Sequence, residues 1–208
     1  MAAPARRTNE ERSAETRGRI LEATLQCLAD LGYAGTTTTA VVDRAGVSRG
    51  AQLYHFPTRA ILIAAAVEHL YAVLRAAYEK TFSKLPRRGD RVGEAIDLFW
   101  KMWQDPRLIA VLELHVAART DTELATALEP VAAEHQRHIV DLARRIFPQE
   151  ALAQRRFREI LDVVQETLRG MAVGQLVEHD QHRTAQTLGM LKELVTNALQ
   201  RKQVGRER

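Results

Sequence analysis

The chain has 208 residues and a mildly basic balance, with 30 Lys and Arg against 26 Asp and Glu for a net charge of +4. A hydrophobic content of 46% and a charged content of 27% describe a globular chain that can bury a core, not a disordered or fibrous one. The single cysteine, Cys27, excludes an intramolecular disulfide and a Cys-based zinc site.

No apolar run approaches the roughly 18 residues of a membrane span. The arginines of MAAPARRTNEER have no apolar segment behind them, so no signal peptide and no membrane partner are expected. The chain is read as cytoplasmic.

Gly (11) and Pro (6) are sparse and alternating strand patterns are absent, which predicts an all-α chain. Residues 1–12 read as a polar arm. A first helix is expected over Ser13–Leu31, with Ile20, Ala23, Leu28 and Leu31 inward, Cys27 in the same apolar stripe, and Gly32 as its stop. Thr37 caps a second helix that Gly46 ends; Ser48 caps a third, of barely two turns, ending at His55. Pro57 and Thr58 open a long fourth helix to about Lys84. Further helices are expected over Asp90–Gln104, Pro106–Arg119, Thr122–Ile146 (disturbed at Pro130), Gln149–Glu178 and Arg183–Lys202, about nine in all. The fold class is therefore all-α: an N-terminal three-helix head over 13–57 and a helical bundle over 58–208.

The two short helices joined at Gly46 form a bihelical unit of the size that fits a DNA major groove. Gly46 suits the turn, Val47 plugs it, and Val41, Val42 and Ala45 hold the second helix. Free N–H groups near Thr37, Thr38 and Thr39 and near Ser48, Arg49 and Gly50 suit phosphates. Gly50 allows close backbone approach, and Tyr54, His55 and Arg59 can hydrogen-bond phosphates or base edges.

Gly32, Tyr33, Thr36, Thr37, Val41, Val42, the run Ala45 to Ser48, Gly50, the run Tyr54 to Phe56, Thr58 and Arg59 together resemble the N-terminal domain of TetR/AcrR-family transcriptional regulators. The resemblance spans about Arg17 to Leu62, under a quarter of the chain. It implies a homodimeric repressor, less often an activator, bound to a palindromic operator on double-stranded DNA and released by a small-molecule effector. By position it makes Thr38, Ser48, Gly50, Tyr54, His55 and Arg59 the DNA contacts. One departure stands out: Leu53 replaces a tyrosine that normally contacts phosphate. Either Tyr54 does that work alone, or Gln52 turns outward, with adenine its natural partner. Arg49 and Gln52 are the residues expected to set specificity.

In the remainder, Pro106–Arg119 is nearly apolar all round and is expected to be buried centrally, which would leave Glu113 and His115 needing partners or a ligand. Phe99, Trp100, Trp103, Leu112, Glu113, His115, Val164 and Met171 are the expected lining of a site for a small, largely apolar effector. Phe157, Leu161, Val164 and Leu168, then Leu188, Leu191, Val195 and Ala198, recur at steps of four and three. With Gly170 and Gly174 these seams are the expected homodimer interface, ordinary intrachain packing being the alternative.

No cofactor is expected. Gly46-Val47-Ser48-Arg49-Gly50 formally matches a G-x-S-x-G nucleophile turn, but no strand precedes it, so an enzyme is not expected. The pairs His135/His138 and His179/His182, with Glu134 and Glu178, leave a metal-responsive regulator as one alternative. A helical interaction protein that does not bind DNA is the other.

Overall fold

The computed structural model describes residues 8–83, 85, 89–153 and 155–200. Among them the chain forms ten α-helices and no strand: α1 (Asn9–Gly35), α2 (Thr38–Ala45), α3 (Arg49–His55), α4 (Arg59–Phe82), α5 (Arg91–Met102), α6 (Pro106–Ala117), α7 (Thr122–Ile146), α8 (Pro148–Ala153), α9 (Phe157–Gly174) and α10 (Gln181–Gln200). They divide into two compact units. One comprises Met1–Ala72 and Ala110–Ala132, the other Val73–Ile109 and Ala133–Arg208.

In the first unit α1 begins four residues earlier than the apolar pattern predicts. Thr8 and Glu11 form a reciprocal capping box, which satisfies two N–H groups before the apolar stripe starts. Part of the expected polar arm is therefore helix; residues 1–7 lie outside the described residues. Ile20, Leu21, Leu25, Cys27 and Leu28 are buried, whereas Leu31, expected inward, is about half exposed. Burial pushes the Cys27 thiol pKa up, as suits an unreactive core residue. α1 packs against both α2 and α3, and Val41, Val42 and Ala45 bury the inner face of α2.

Helix α4 corrects the reading that no segment is apolar enough to span a bilayer. Its best window has a mean hydropathy of 1.6, enough by length and composition. Half of that window is nevertheless buried in protein, through residues such as Leu62, Ile63, Val67 and Leu70. α6 departs the other way. Leu108, Val111 and Leu114 are buried, but Glu113, His115 and Val116 face solvent, so this apolar helix keeps one open face.

In the second unit Asp90 caps α5 by accepting from the Gly93 N–H at 2.8 Å. The single helix predicted over Gln149–Glu178 is two: the chain breaks after α8 and restarts at Phe157. The restart puts Phe157 on the buried stripe with Leu161, Val164, Leu168 and Ala172. The last helix begins at Gln181, and its predicted end at Lys202 lies outside the described residues.

Both expected dimer seams are spent within the chain. Val164 and Leu168 of α9 and Leu188, Leu191 and Val195 of α10 form one buried cluster with Ile96 of α5. Phe157 and Leu161 are buried as well, so of the proposed interface residues only Gly170 and Gly174 are exposed, with Ala198 half-buried. The four-and-three spacing is that of intrachain packing.

Candidate nucleic-acid interface and sensing region

The turn between α2 and α3 is built by Gly46 in the left-handed region (φ +62°). Arg19 fastens it from α1, its Nη2 donating to the carbonyls of Ala45 at 2.5 Å and Gly46 at 2.9 Å. Thr37 Oγ1 accepts from the Ala40 N–H and Ser48 Oγ from the Ala51 N–H, both at 3.1 Å, so each short helix has the N-cap read from sequence. Such a cap is worth about 1 kcal/mol. Ser48 thus serves as a cap after a helix and a turn, not as the nucleophile of a strand-to-helix turn.

Helix α3 turns about 100° per residue, which sorts its side chains cleanly. Gln52 points inward with Ala51 and His55 on its flanks; Arg49, Gly50, Leu53 and Tyr54 form the outward arc. Tyr54 is 81% exposed and Leu53 45% exposed. Gly50 leaves open space beside them, since a Cβ there would meet only Ser48 Oγ, at 3.9 Å.

Two expected contacts are corrected by their surroundings. Gln52 is 1% exposed, and its Nε2 donates to the Phe56 carbonyl at 2.9 Å. Its amide closes the end of its own helix and is not turned toward a base. Arg59 is also committed elsewhere. Its Nε donates to the Thr36 carbonyl at 2.9 Å, its Nη2 to the Tyr33 carbonyl, and its guanidinium lies 3.9 Å over the Tyr33 ring. It fixes the turn that delivers Thr37, and acts as a positioning residue.

That turn is anchored from a second side that the sequence reading missed. Gly32 (φ +67°) breaks α1, and the following Tyr33 N–H donates to Glu113 Oε1 of α6 at 2.8 Å. The Tyr33 hydroxyl donates to Asp121 Oδ2 at 2.5 Å, which helps hold the Asp121 carboxyl below its ordinary pKa. Asp121 also caps α7 by accepting from the Leu124 N–H at 2.9 Å. The sequence reading started a helix at Thr122 but named neither this cap nor its link to Tyr33, 88 residues away.

The expected ligand-lining residues fall in both units. Leu112, Glu113 and His115 belong to the first, where His115 Nδ1 engages the Val111 carbonyl at 2.8 Å. Phe99, Trp100, Trp103, Val164 and Met171 belong to the second, around its buried cluster. There Phe99, Phe147, Phe157, Ile160 and Val164 are among the wholly apolar side chains lining a cleft of about 60 Å³. Of the histidine pairs, His138 Nε2 meets Glu134 Oε1 at 2.7 Å, and Arg137 binds the same carboxylate. No group of three potential metal ligands gathers among the described residues.

A short capped helix presenting Arg49, Leu53 and Tyr54 outward, set on a second helix by a left-handed glycine, is the reading unit of helix-turn-helix DNA-binding proteins. The pattern of "Bacterial regulatory proteins, tetR family" matches residues 20–66. HTH-type transcriptional regulator CymR of Pseudomonas putida is 32% identical over 180 residues, 86% of this chain and 89% of that one. The uncharacterized HTH-type regulator Rv2912c of Mycobacterium tuberculosis (strain ATCC 25618 / H37Rv) is 30% identical over 196 residues, 93% and 99% of the two chains. The multidrug binding protein EbrR shares the fold with a TM-score of 0.68 at 21% identity in its imidazole complex, covering 95% of this chain and 97% of that one. In its proflavin complex EbrR aligns at 25% identity with a TM-score of 0.59, covering 88% and 99%. The protein is a DNA-binding transcriptional regulator of the helix-turn-helix class. It belongs to the TetR family.

Proposed function

We propose that the protein is a homodimeric repressor that holds a palindromic operator and lets it go when a small effector enters the helical body. The observation that carries this reading is the pairing of an outward α3 face, on which Tyr54 stands exposed beside the His55 ring, with an apolar cleft lined by Phe99 and Val164. On α3, Arg49 is placed for a guanine edge and Leu53 for a thymine methyl, the apolar group that the major groove offers. Tyr54 and His55 are placed for phosphates.

A second copy covers the face of α9 and α10 opposite their buried seam. Val163, Val173, Met190 and Leu194 are exposed there, and Gly170 and Gly174 leave room for close approach. The cleft is far smaller than the roughly 300–1,000 Å³ of an ordinary ligand site. An effector must therefore spread the helices that line it, and by that preference it shifts the population away from the DNA-bound form. Helix α4 contributes to both units and is the natural carrier of the change to the head. The EbrR–proflavin complex supports a small-molecule ligand for this fold.

A mobility-shift assay on the DNA upstream of the protein's own gene tests the proposal. Retardation by the free protein, lost on adding an effector, is the expected result. Retardation that no small molecule reverses would leave a regulator without a sensing function.

A further inference from the structure

The second unit holds a set of hydrogen-bond donors that the apolar cleft does not explain. Gln165 and Arg169 lie one turn apart on α9, on the flank beside its buried stripe, and Gln165 directly follows Val164 of the cleft lining. Gln165 Nε2 and Arg169 Nε are buried and have no acceptor. Glu166 takes up only the Nη1 end of the Arg169 guanidinium, at 3.1 Å. Buried donors left without acceptors each forfeit a hydrogen bond they had in water, so their persistence asks for a partner.

The same place gathers cationic groups around a histidine. His135 of α7 sits in the field of Arg75 from α4, His138 from its own helix and Arg169 from α9. Burial first, and these neighbours after it, push His135 down to about 4. Glu134 pairs with His138 and with Arg137, and Glu166 with Arg169, so these carboxylates balance part of that charge but leave the two α9 donors unmet. Asp162, one turn before Glu166 on α9, accepts from Gln136 at 3.0 Å. Arg75 of α4, His138 of α7 and Arg169 of α9 thus lie around His135, and α9 adds two buried N–H groups without an acceptor.

We propose that Arg75, His135, Gln165 and Arg169 receive the carboxylate of an organic anion, and that this anion is the effector. A carboxylate supplies two acceptor oxygens, enough for Gln165 Nε2 and Arg169 Nε together, and one negative charge to balance the cationic surroundings. Its apolar remainder lies toward the Phe99, Trp100, Trp103 and Met171 side chains that pack around the buried cluster. This rests on the ligand-released reading above and narrows it to a chemical class. An apolar neutral molecule would leave both donors unpaired, which is a discrimination that no hydrophobic wall provides.

Both tryptophans belong to this unit, so their fluorescence reports binding in the unmodified full-length protein. Acetate, octanoate and benzoate are titrated beside benzamide, benzyl alcohol, chloride and inorganic phosphate. The expected result is saturable quenching and a raised Tm with octanoate or benzoate, at least about tenfold tighter than with the neutral compounds. Arg169→Gln and Gln165→Leu should each weaken it by about tenfold, while Arg158→Gln, on the exposed surface, should not. The His135 ring should titrate at higher pH in the benzoate-saturated protein, a signal that a merely structural role for Arg169 would not move.

Equal binding of benzamide, or of phosphate, would overturn the proposal, as would no response to any of the carboxylates. Release of DNA by neutral molecules only would overturn it while sustaining the effector reading. Tight carboxylate binding that leaves the DNA complex intact would keep the site and remove its role as the effector site.

Discussion

Glu113 Oε1 accepts the Tyr33 N–H at 2.8 Å, immediately after a glycine that the same carboxylate crowds. A Cβ on Gly32 would lie 2.9 Å from both oxygens of that carboxylate, at φ +67° and ψ −177°. Gly32→Ala therefore meets a backbone region that is essentially restricted to glycine and costs about 1–3 kcal/mol. Thermal unfolding should show it as a clearly lowered Tm. Glu113→Ala, which removes an exposed hydrogen bond, should cost less, about 0.5–1 kcal/mol.

Arg59 is expected to matter for stability and not for charge neutralisation. Each phosphate neutralised by a protein contributes about 0.9 to the slope of log K against log salt concentration. Arg59→Ala should lower Tm, since it removes the hydrogen bonds Arg59 donates to the Thr36 and Tyr33 carbonyls, yet leave the salt slope of operator binding unchanged. A slope reduced by about 0.9 would place its guanidinium on a phosphate instead.

Leu53 is tested without altering the fold. Replacing thymine by uracil at one operator position removes a methyl group and nothing else. At the position Leu53 reads, that change should weaken binding about fourfold, the order expected for one buried methyl-sized group. Leu53→Ala should be indifferent to the same change. Equal sensitivity of wild type and variant at every thymine would assign the side chain no base contact.

His135 sets an acid limit on stability. Its folded pKa of about 4 lies below the ordinary 6.5, so between these values the unfolded chain binds a proton that the folded chain refuses. Stability from this group is full above about pH 6.5, falls as pH drops toward 4, and is level below that. The loss is at most about 3 kcal/mol. Denaturant midpoints across this range should be flatter in His135→Gln. An identical profile in the variant would assign the acid loss to carboxylates.

Charge placed on the outer face of α9 and α10 should break the dimer. Val163→Asp and Leu194→Asp both alter exposed positions, so the monomer should fold with a near-native Tm. Sedimentation should show a dimer for wild type and a monomer for the variants, which should also lose cooperative operator binding. A dimer that persists in both would move the interface elsewhere.

The head was legible because its signals are local. The Thr37 and Ser48 caps, the left-handed Gly46 and the Val41–Val42 pair each act within a few residues, and their order identifies them. What stayed hidden depends on facing. Gln52 and Arg49 are three residues apart on a seven-residue helix, and sequence cannot say which one the body of the protein covers. Arg59 resembles a phosphate ligand until the Tyr33 ring is found beneath it. The α9 and α10 seams repeat at a spacing common to intrachain and interchain packing, and only the burial of Leu168 against Ile96 and Leu188 separates the two. The links from Tyr33 to Glu113 and Asp121 span 80 and 88 residues, beyond any local rule.

Because Ala110–Ala132 is counted with the N-terminal unit, neither unit is a continuous stretch of polypeptide. A fragment ending at Ala72 would carry Tyr33 and Arg59 but abandon both carboxylates that hold Tyr33. Chimeras that graft this reading head onto a foreign sensor by a single splice after α4 will sever those ties. A working transplant has to take the end of α6 and the start of α7 along with it.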